Sequence, residues 1–319
     1  MIRGGGASSG PGRAVGTAWG RPCAALERVV VTSTSHKPSA HAPARRIAAR
    51  FAAAGIDVVL DLDGDRPIGE LRPAPDLVVA VGGDGTLLAT ARRLSGRPWP
   101  VLGVNLGKLG FLAAFGVDEV LAYADGADPV GWRAVAAASL AVSVRGGPPV
   151  VAFNDVTVSQ GVMTRLVRVR LDVDGFLAAE YRADGVVVST PVGSTAYSLS
   201  LGGPILLHEL RALLVTPVAP QALANRPIVL GADARLRLTI EGRADEIALV
   251  LDGQERIDLA SGDAFEVTLG PDVVRLVPGG YDPFAVLRRK LRWTEGPALD
   301  GAPDPDPIRD DAVLDGRES

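Results

Sequence analysis

Apolar positions along this 319-residue chain follow two rhythms. In the first, short runs of Val, Leu and Ile alternate with longer segments whose apolar residues recur three to four positions apart. Residues 28–34 read as a strand. Residues 40–54 read as a helix, with Ile47 and Phe51 on one face and Gly55 as its stop; residues 56–60 form a second strand. The acidic, proline-containing stretch 61–75 reads as a loop. A third apolar run, 76–81, then stops at Gly82-Gly83-Asp84-Gly85-Thr86 and feeds an Ala/Leu/Arg helix, and 100–104 is a further strand. Strands and helices in this order build a parallel sheet with helices on its faces. From about residue 135 the rhythm changes. Val-rich runs at 138–144, 150–160, 166–173, 185–190, 228–230, 234–240, 247–251 and 264–269 alternate with Gly, Pro and Asp turns, the pattern of a largely antiparallel β domain. Residues 283–293 form a basic amphipathic helix that docks by its apolar face.

The expected organisation is therefore a disordered tail over 1–25, an α/β nucleotide-binding domain over 26–134 and a β-rich domain over 135–270. A closing segment spans 271–293, and a second disordered tail spans 294–319. Both tails are rich in Gly, Pro and polar residues and lack a core pattern.

Composition narrows the chemistry. A net charge of -4 argues against a general nucleic-acid binder, and no apolar run reaches the roughly 18–20 residues that span a bilayer. One cysteine, Cys23, forms no internal disulfide, and three scattered histidines make no zinc pattern. The first residues lack a secretory core, and their Gly and Pro content spoils a transit helix, so the expected location is cytoplasmic. Catalysis then rests on carboxylates, hydroxyls, backbone amides and an oxygen-bound metal.

The Gly82–Thr86 turn leaves the backbone nearly bare, and the helix behind it points free N–H groups at the same place, which favours phosphate. Asp84 repels phosphate. It either caps the helix or works on a hydroxyl or a metal beside the phosphates. Two familiar nucleotide signatures fail. In Gly103-Val-Asn-Leu-Gly107-Lys108-Leu109 the first glycine is one residue too close for a P-loop, and Leu109 stands where Ser or Thr would hold magnesium; Lys108 is either a phosphate contact or a solvent-facing loop lysine. The dinucleotide fingerprint fails at Leu88, where a third glycine belongs. A second dense stretch runs from Asp184 to Ser200. Its hydroxyls suit sugar hydroxyls and amides, and Tyr197 offers a face to a planar ring; a Ser/Thr-rich turn is the bland alternative. Asn154-Asp155 sets an amide beside a carboxylate, which an Asx turn explains equally well.

Taken in order, Gly-Gly-Asp-Gly-Thr, Asn-x-Gly-x-x-Gly-Phe-Leu, Asn-Asp and Asp184-Gly-Val-Val-Val-Ser-Thr-Pro-x-Gly-Ser-Thr-Ala-Tyr-Ser-Leu-Ser200 resemble the NAD kinase family, as do Arg226-Pro-Ile-Val-Leu230 and Asp252-Gly-Gln254. The resemblance covers about residues 26–293. It implies a Rossmann-like α/β domain of the NAD kinase/diacylglycerol kinase type plus a β-rich domain. The implied reaction is phosphorylation of NAD at the adenosine ribose 2′-hydroxyl by ATP, or polyphosphate, with Mg²⁺ or another divalent cation. Asp84 matches the family's proton acceptor and helps place the ion; no residue is assigned as a dedicated metal ligand. Gly83, Gly85 and Thr86 present donors to phosphate. Asn154 and Asp155 fall where the family contacts adenosine, and Arg165 and Arg182 near phosphate or dinucleotide contacts. Asp184, Thr195, Ala196, Tyr197, Ser198 and Ser200 match the dinucleotide segment, and Gln254 a further contact. A homodimer or homotetramer is implied, as is a closing segment packed on the N-terminal domain.

Three residues depart from the family pattern: Asp155 replaces Glu, Ala183 a common Gly and Gln221 a frequent His. Two other readings share parts of the pattern. A lipid kinase of the diacylglycerol or sphingosine type shares the Gly-Gly-Asp-Gly-Thr turn but has no need of Tyr197. A non-catalytic NAD sensor fits the altered residues but not the retained Asp84.

Overall fold

The structure, a computed structural model, describes residues 21–94, 96–107, 110–127, 135–160, 166–241, 246–277 and 283–291. Lys108, Arg165, the junction before residue 135, residues 278–282 and 292–293 of the expected closing segment, and residues 1–20 and 294–319 of the two expected tails lie outside the described residues.

The first half alternates as its apolar rhythm requires: β1 (Arg28–Thr32), α1 (His41–Ala53), β2 (Asp57–Asp61), β3 (Leu77–Val81), α2 (Asp84–Arg93), β4 (Pro100–Val104) and α3 (Val117–Ala124). The four strands pair in parallel in the order β2-β1-β3-β4. Every residue of β3 is buried, as a strand covered on both faces must be. Val29, Val31, Val79 and Val81 meet Ile47 and Phe51 of α1 and Val120 and Tyr123 of α3. On the other face Val30, Val78 and Ala80 meet Leu87, Leu88, Ala91 and Leu94 of α2 and its end. Folded structure begins before the expected boundary at residue 26: Cys23 is buried in the first cluster, and the Tyr123 hydroxyl donates to the Arg21 carbonyl at 2.8 Å.

The second half comprises β5 (Val135–Val144), β6 (Val150–Ala152), β7 (Asp155–Gln160), β8 (Val167–Val173), β9 (Phe176–Ala183), β10 (Gly185–Ser189), α4 (Tyr197–Ser200), β11 (Ala212–Val218), β12 (Ile228–Gly231), β13 (Leu236–Glu241), β14 (Ile247–Leu251), β15 (Glu255–Leu259) and β16 (Ala264–Val277). Six strands form an antiparallel sheet in the order β12-β11-β10-β7-β14-β15. The remaining strands join the N-terminal sheet, because the 14-residue β16 serves both. Its beginning pairs antiparallel with β13, and its last residues, Arg275 to Val277, run parallel to β4. The two expected domains thus share one continuous sheet. Residues such as Val156, Val158, Val186, Val188, Leu236 and Leu249 fill the core between the two sheets. A separate unit holds α5 (Pro283–Leu291).

Four differences from the sequence reading have physical causes. β9 (Phe-Leu-Ala-Ala-Glu-Tyr-Arg-Ala) lacks the Val-rich signature because it is an edge strand with little to bury. β11 contains Pro217, which normally argues against a strand; its pairing with β12 stops at Val215, leaving the proline beyond that ladder. β15 is mostly exposed and polar. The run 150–160, expected as one strand, breaks at Phe153–Asn154 because a side chain from a distant turn takes the N–H groups there.

Candidate active site

At the end of β3 the chain turns through Gly82 and Gly83 into α2, whose first residue is Asp84. The Asp84 side chain does not cap its own helix. It reaches the turn that follows β4, where Oδ2 accepts the Phe111 N–H at 2.9 Å and Oδ1 accepts the N–H groups of Leu112 at 3.0 Å and Ala113 at 2.9 Å. Close approach explains Gly110: a Cβ there would lie 2.0 Å from Asp84 Oδ1. Gly83 and Gly85 have open space where a Cβ would stand, so room remains above this turn for a ligand. Thr86 differs from its expected role. It is buried, and its side chain folds back over Gly82 instead of facing outward.

A second carboxylate repeats the arrangement. Asp252, between β14 and β15, accepts the N–H groups of Phe153 (2.9 Å to Oδ2), Asn154 (2.6 Å to Oδ1) and Asp155 (3.1 Å to Oδ1). Its backbone N–H returns to the Asp155 carbonyl at 2.8 Å. Asp252 adopts φ 48°, a left-handed conformation that Asp tolerates better than most residues. Its buried charge is met by Arg92 of α2, 2.6 Å away, which also bonds to the Gln254 side chain.

The hydroxyl-rich segment closes over the outer face of the smaller sheet. Thr190 holds the 153–154 turn, its hydroxyl donating to the Phe153 carbonyl at 2.6 Å and its N–H to the Asn154 carbonyl at 2.9 Å. The Gly193 backbone packs directly on Asn154, where a Cβ would stand 1.9 Å from the carbonyl oxygen. Thr195 bonds back to Val192, while Ser198 pairs with Thr216 at 2.7 Å beneath the surface. Tyr197 keeps 44% exposure, and its N–H, with the Thr157 hydroxyl, donates to the Asp155 carboxyl. Burial first, and the charge of Asp252 second, push Asp155 up to about 7. The Ser194 hydroxyl donates to the Pro191 carbonyl at 2.6 Å and accepts the Leu206 N–H at 3.0 Å, fixing the loop that carries His208. The His208 imidazole is enclosed although the residue keeps some surface. Burial pushes it down to about 4, against the opposing charge of Asp84, so His208 is neutral at physiological pH.

The sequence signature of the ATP-NAD kinase N-terminal domain matches residues 70–126, and that of the C-terminal domain matches residues 153–279. NAD kinase of Citrifermentans bemidjiense is 36% identical over 287 residues, covering 85% of this chain and 100% of the relative. That of Acidobacterium capsulatum is 44% identical over 229 residues, covering 69% and 79%. The chain belongs to the NAD kinase family, enzymes that phosphorylate NAD. Its fold is similar to that of yeast NADH kinase, solved with NADH (TM-score 0.74, 24% identity, 88% of this chain and 91% of that one). It is also similar to an NAD kinase from Archaeoglobus fulgidus, solved with ATP (TM-score 0.68, 27% identity, 83% and 98%).

Against the NAD kinase pattern, the expected residues of the β-rich half fall into three sets. Asn154 and Asp155 lie in the turn held by Asp252, Tyr197 donates its N–H to Asp155, and Thr195, Ala196 and Ser198 share the Tyr197 segment, which Ser194 and Leu206 tie to the loop that faces Asp84. Ser200 is exposed at the end of α4, and Gln254 is exposed and bonded to Arg92. Arg182 and Asp184 stand apart, exposed where β10 begins, while Asp155 pairs with Ser189 where it ends. Five strand residues separate those ends by about 16 Å. Sequence reasoning missed Arg92, His208 and the role of Asp252. An Asp-Gly pair after an apolar run was a signal for the last; nothing local marked the other two.

Proposed function

We propose that this enzyme transfers the terminal phosphoryl group of ATP to the 2′-hydroxyl of the adenosine ribose of NAD, giving NADP. The observation that carries the reading is the condition of Asp84. Three amides of the turn after β4 fix its carboxylate beside the amino end of α2, and among the described residues no cation neutralises it. Oδ1 accepts two N–H groups and Oδ2 only one, so Oδ2 retains a lone pair for a hydroxyl proton. The ribose oxygen bonds to phosphorus, the bond from phosphorus to the ADP oxygen breaks, and the hydroxyl proton passes to Oδ2. A positioned base of this kind contributes typically ~10²–10⁴ in rate. The free N–H groups at the start of α2 and the open space at Gly83 and Gly85 suit the donor phosphates. Asn154, Asp155 and the Thr195–Ser198 segment suit the acceptor nucleoside, with Tyr197 as a stacking face.

The residues also fit a divalent cation such as Mg²⁺. Such an ion would be carried by the donor phosphates, with the carboxylate of Asp84, which no described cation neutralises, to steady it. When bound, such an ion draws charge from the phosphates. ATP as donor is supported by the similar Archaeoglobus fulgidus enzyme solved with it.

The test is purified protein with NAD, ATP and Mg²⁺, read by an NADP-specific dehydrogenase, with polyphosphate replacing ATP in a parallel reaction. NADP formation with ATP is expected. Folded protein that binds NAD and forms no NADP overturns the reading in favour of an NAD sensor, in which the amide-bound Asp84 is only a loop anchor.

A further inference from the structure

Arg92 is absent from the set of residues that the reaction calls for, yet it joins that set's two halves. It lies eight residues after Asp84 on α2, about 12 Å along the axis. Its Nη2 meets Asp252 Oδ2 at 2.6 Å, and its Nη1 bonds to the Gln254 amide oxygen. The Asp252 side chain is fully buried and takes the N–H groups of Phe153, Asn154 and Asp155. We propose that the Arg92–Asp252 pair is a positioning device for phosphoryl transfer, holding the turn that bears Asn154 and Asp155 in register with the helix that bears Asp84.

This rests on the functional reading above, in which Asn154 and Asp155 meet the acceptor nucleoside. The elements at either end have their own anchors. Helix α2 is seated by Leu87, Leu88, Ala91 and Leu94, and β14 by its ladders with β7 and β15. The turn between them differs. At Phe153 and Asn154 the β6–β7 run is broken, and the N–H groups there go to the Asp252 carboxylate. Thr190 holds the carbonyls of this turn and the Asp252 carboxylate holds its N–H groups, so the amide side of the turn is placed by the carboxylate, which Arg92 in turn holds. A displacement of about 1 Å in such a turn is enough to cost on the order of 10²-fold in rate.

Arg92→Met keeps the apolar stem and removes the guanidinium, whereas Arg92→Lys keeps the charge but not the two-pronged contact. Amide hydrogen exchange in peptides covering 153–155 and 111–113 is measured beside steady-state kinetics in NAD and in ATP. For Arg92→Met we expect about tenfold faster exchange at 153–155 and none at 111–113. KM for NAD should rise about fivefold while KM for ATP changes less than about twofold, with Arg92→Lys recovering most of the loss. Unchanged exchange at 153–155 overturns the proposal. Faster exchange with unchanged KM for NAD also overturns it, leaving a merely structural tie. If the unsubstituted protein forms no NADP, the functional reading falls on its own. NAD affinity by calorimetry then replaces KM, and an unchanged affinity in Arg92→Met overturns the positioning role. Should Arg92→Met fail to fold, Arg92→Gln, which removes the charge and keeps a hydrogen-bond donor, gives the same readouts, and unchanged exchange at 153–155 in it overturns the proposal.

Discussion

Asp84 and Asp252 each gather three consecutive backbone N–H groups, and they differ in what balances the charge. Asp252 is sealed from solvent with Arg92 against it. Asp84 keeps part of its surface and has beside it the neutral imidazole of His208. The same amide geometry therefore serves two ends. With a matched cation the carboxylate is a tie between distant segments. Without one it is a negative charge beside the open space at Gly83 and Gly85, which is the condition that the proposed proton acceptor requires. Amide contacts alone do not tell a catalytic carboxylate from a structural one; the charge balance does.

The sharpest way to break this contrast is to neutralise each carboxylate. Asp84→Asn should lower turnover by about 10²–10⁴ while destabilising the fold by only about 1–3 kcal/mol, since one amide N–H then faces an NH₂ group. Asp252→Asn should do the reverse. Disrupting a buried ion pair costs roughly 3–5 kcal/mol, while turnover of the folded fraction at saturating NAD falls less than about tenfold. Denaturant unfolding and single-turnover NADP formation on both variants decide the matter. Equal activity losses would dissolve the distinction.

Steric changes probe the same two turns less severely. In Gly110→Ala the new Cβ stands 2.0 Å from Asp84 Oδ1, a side-chain atom that can move only by giving up its amide contacts, and 3.0 Å from the Ala113 backbone nitrogen. In Gly193→Ala it stands 1.9 Å from the Asn154 carbonyl, a backbone atom held from both sides. Gly110→Ala should therefore lower turnover about tenfold or more for a stability loss within ~1–3 kcal/mol, and Gly193→Ala, which meets only backbone, should reach or pass the high end. Thermal melts with kinetics on the folded fraction test the ranking.

How much of this was legible beforehand follows from how local each feature is. The Gly82–Thr86 turn, the parallel strands and the hydroxyl-rich segment are written in consecutive residues and were readable. Asp84 was read as a helix cap, a base or a metal contact; its hold on residues 111–113 was not among these, because those amides lie 27 to 29 positions away. The break at Phe153–Asn154 was invisible for the same reason, its cause lying about a hundred residues on at Asp252. The sharing of β16 between β13 and β4 depends on strand length and bulges, which the apolar pattern does not encode.

Asp155 connects the contrast to pH. Burial and the neighbouring Asp252 charge raise it to about 7, while an unfolded Asp titrates near ~3.9. Between those values the folded chain binds more protons than the unfolded one, so stability falls as pH rises. The favourable contribution of the protonated group is complete below about 4 and is lost through about 7. Asp155→Asn keeps an acceptor for the Tyr197 N–H and removes the titration. Its melting temperature relative to the parent should therefore climb between pH 4 and 7 and then level off. A difference flat with pH would mean that Asp252 is fully compensated by Arg92 and burial of Asp155 is relieved by solvent.

Gln254 sets the lower bound of these effects. It lies on the exposed side of Arg92, whose other prong already holds Asp252. If the tie depends on charge, Gln254→Ala should change stability by less than about 0.5 kcal/mol and KM for NAD by less than about twofold. A larger rise in KM with unchanged stability would instead give Gln254 a direct contact with the dinucleotide. Arg92 would then orient a binding residue as well as a buried carboxylate, and the structural half of the contrast would extend into the binding site itself.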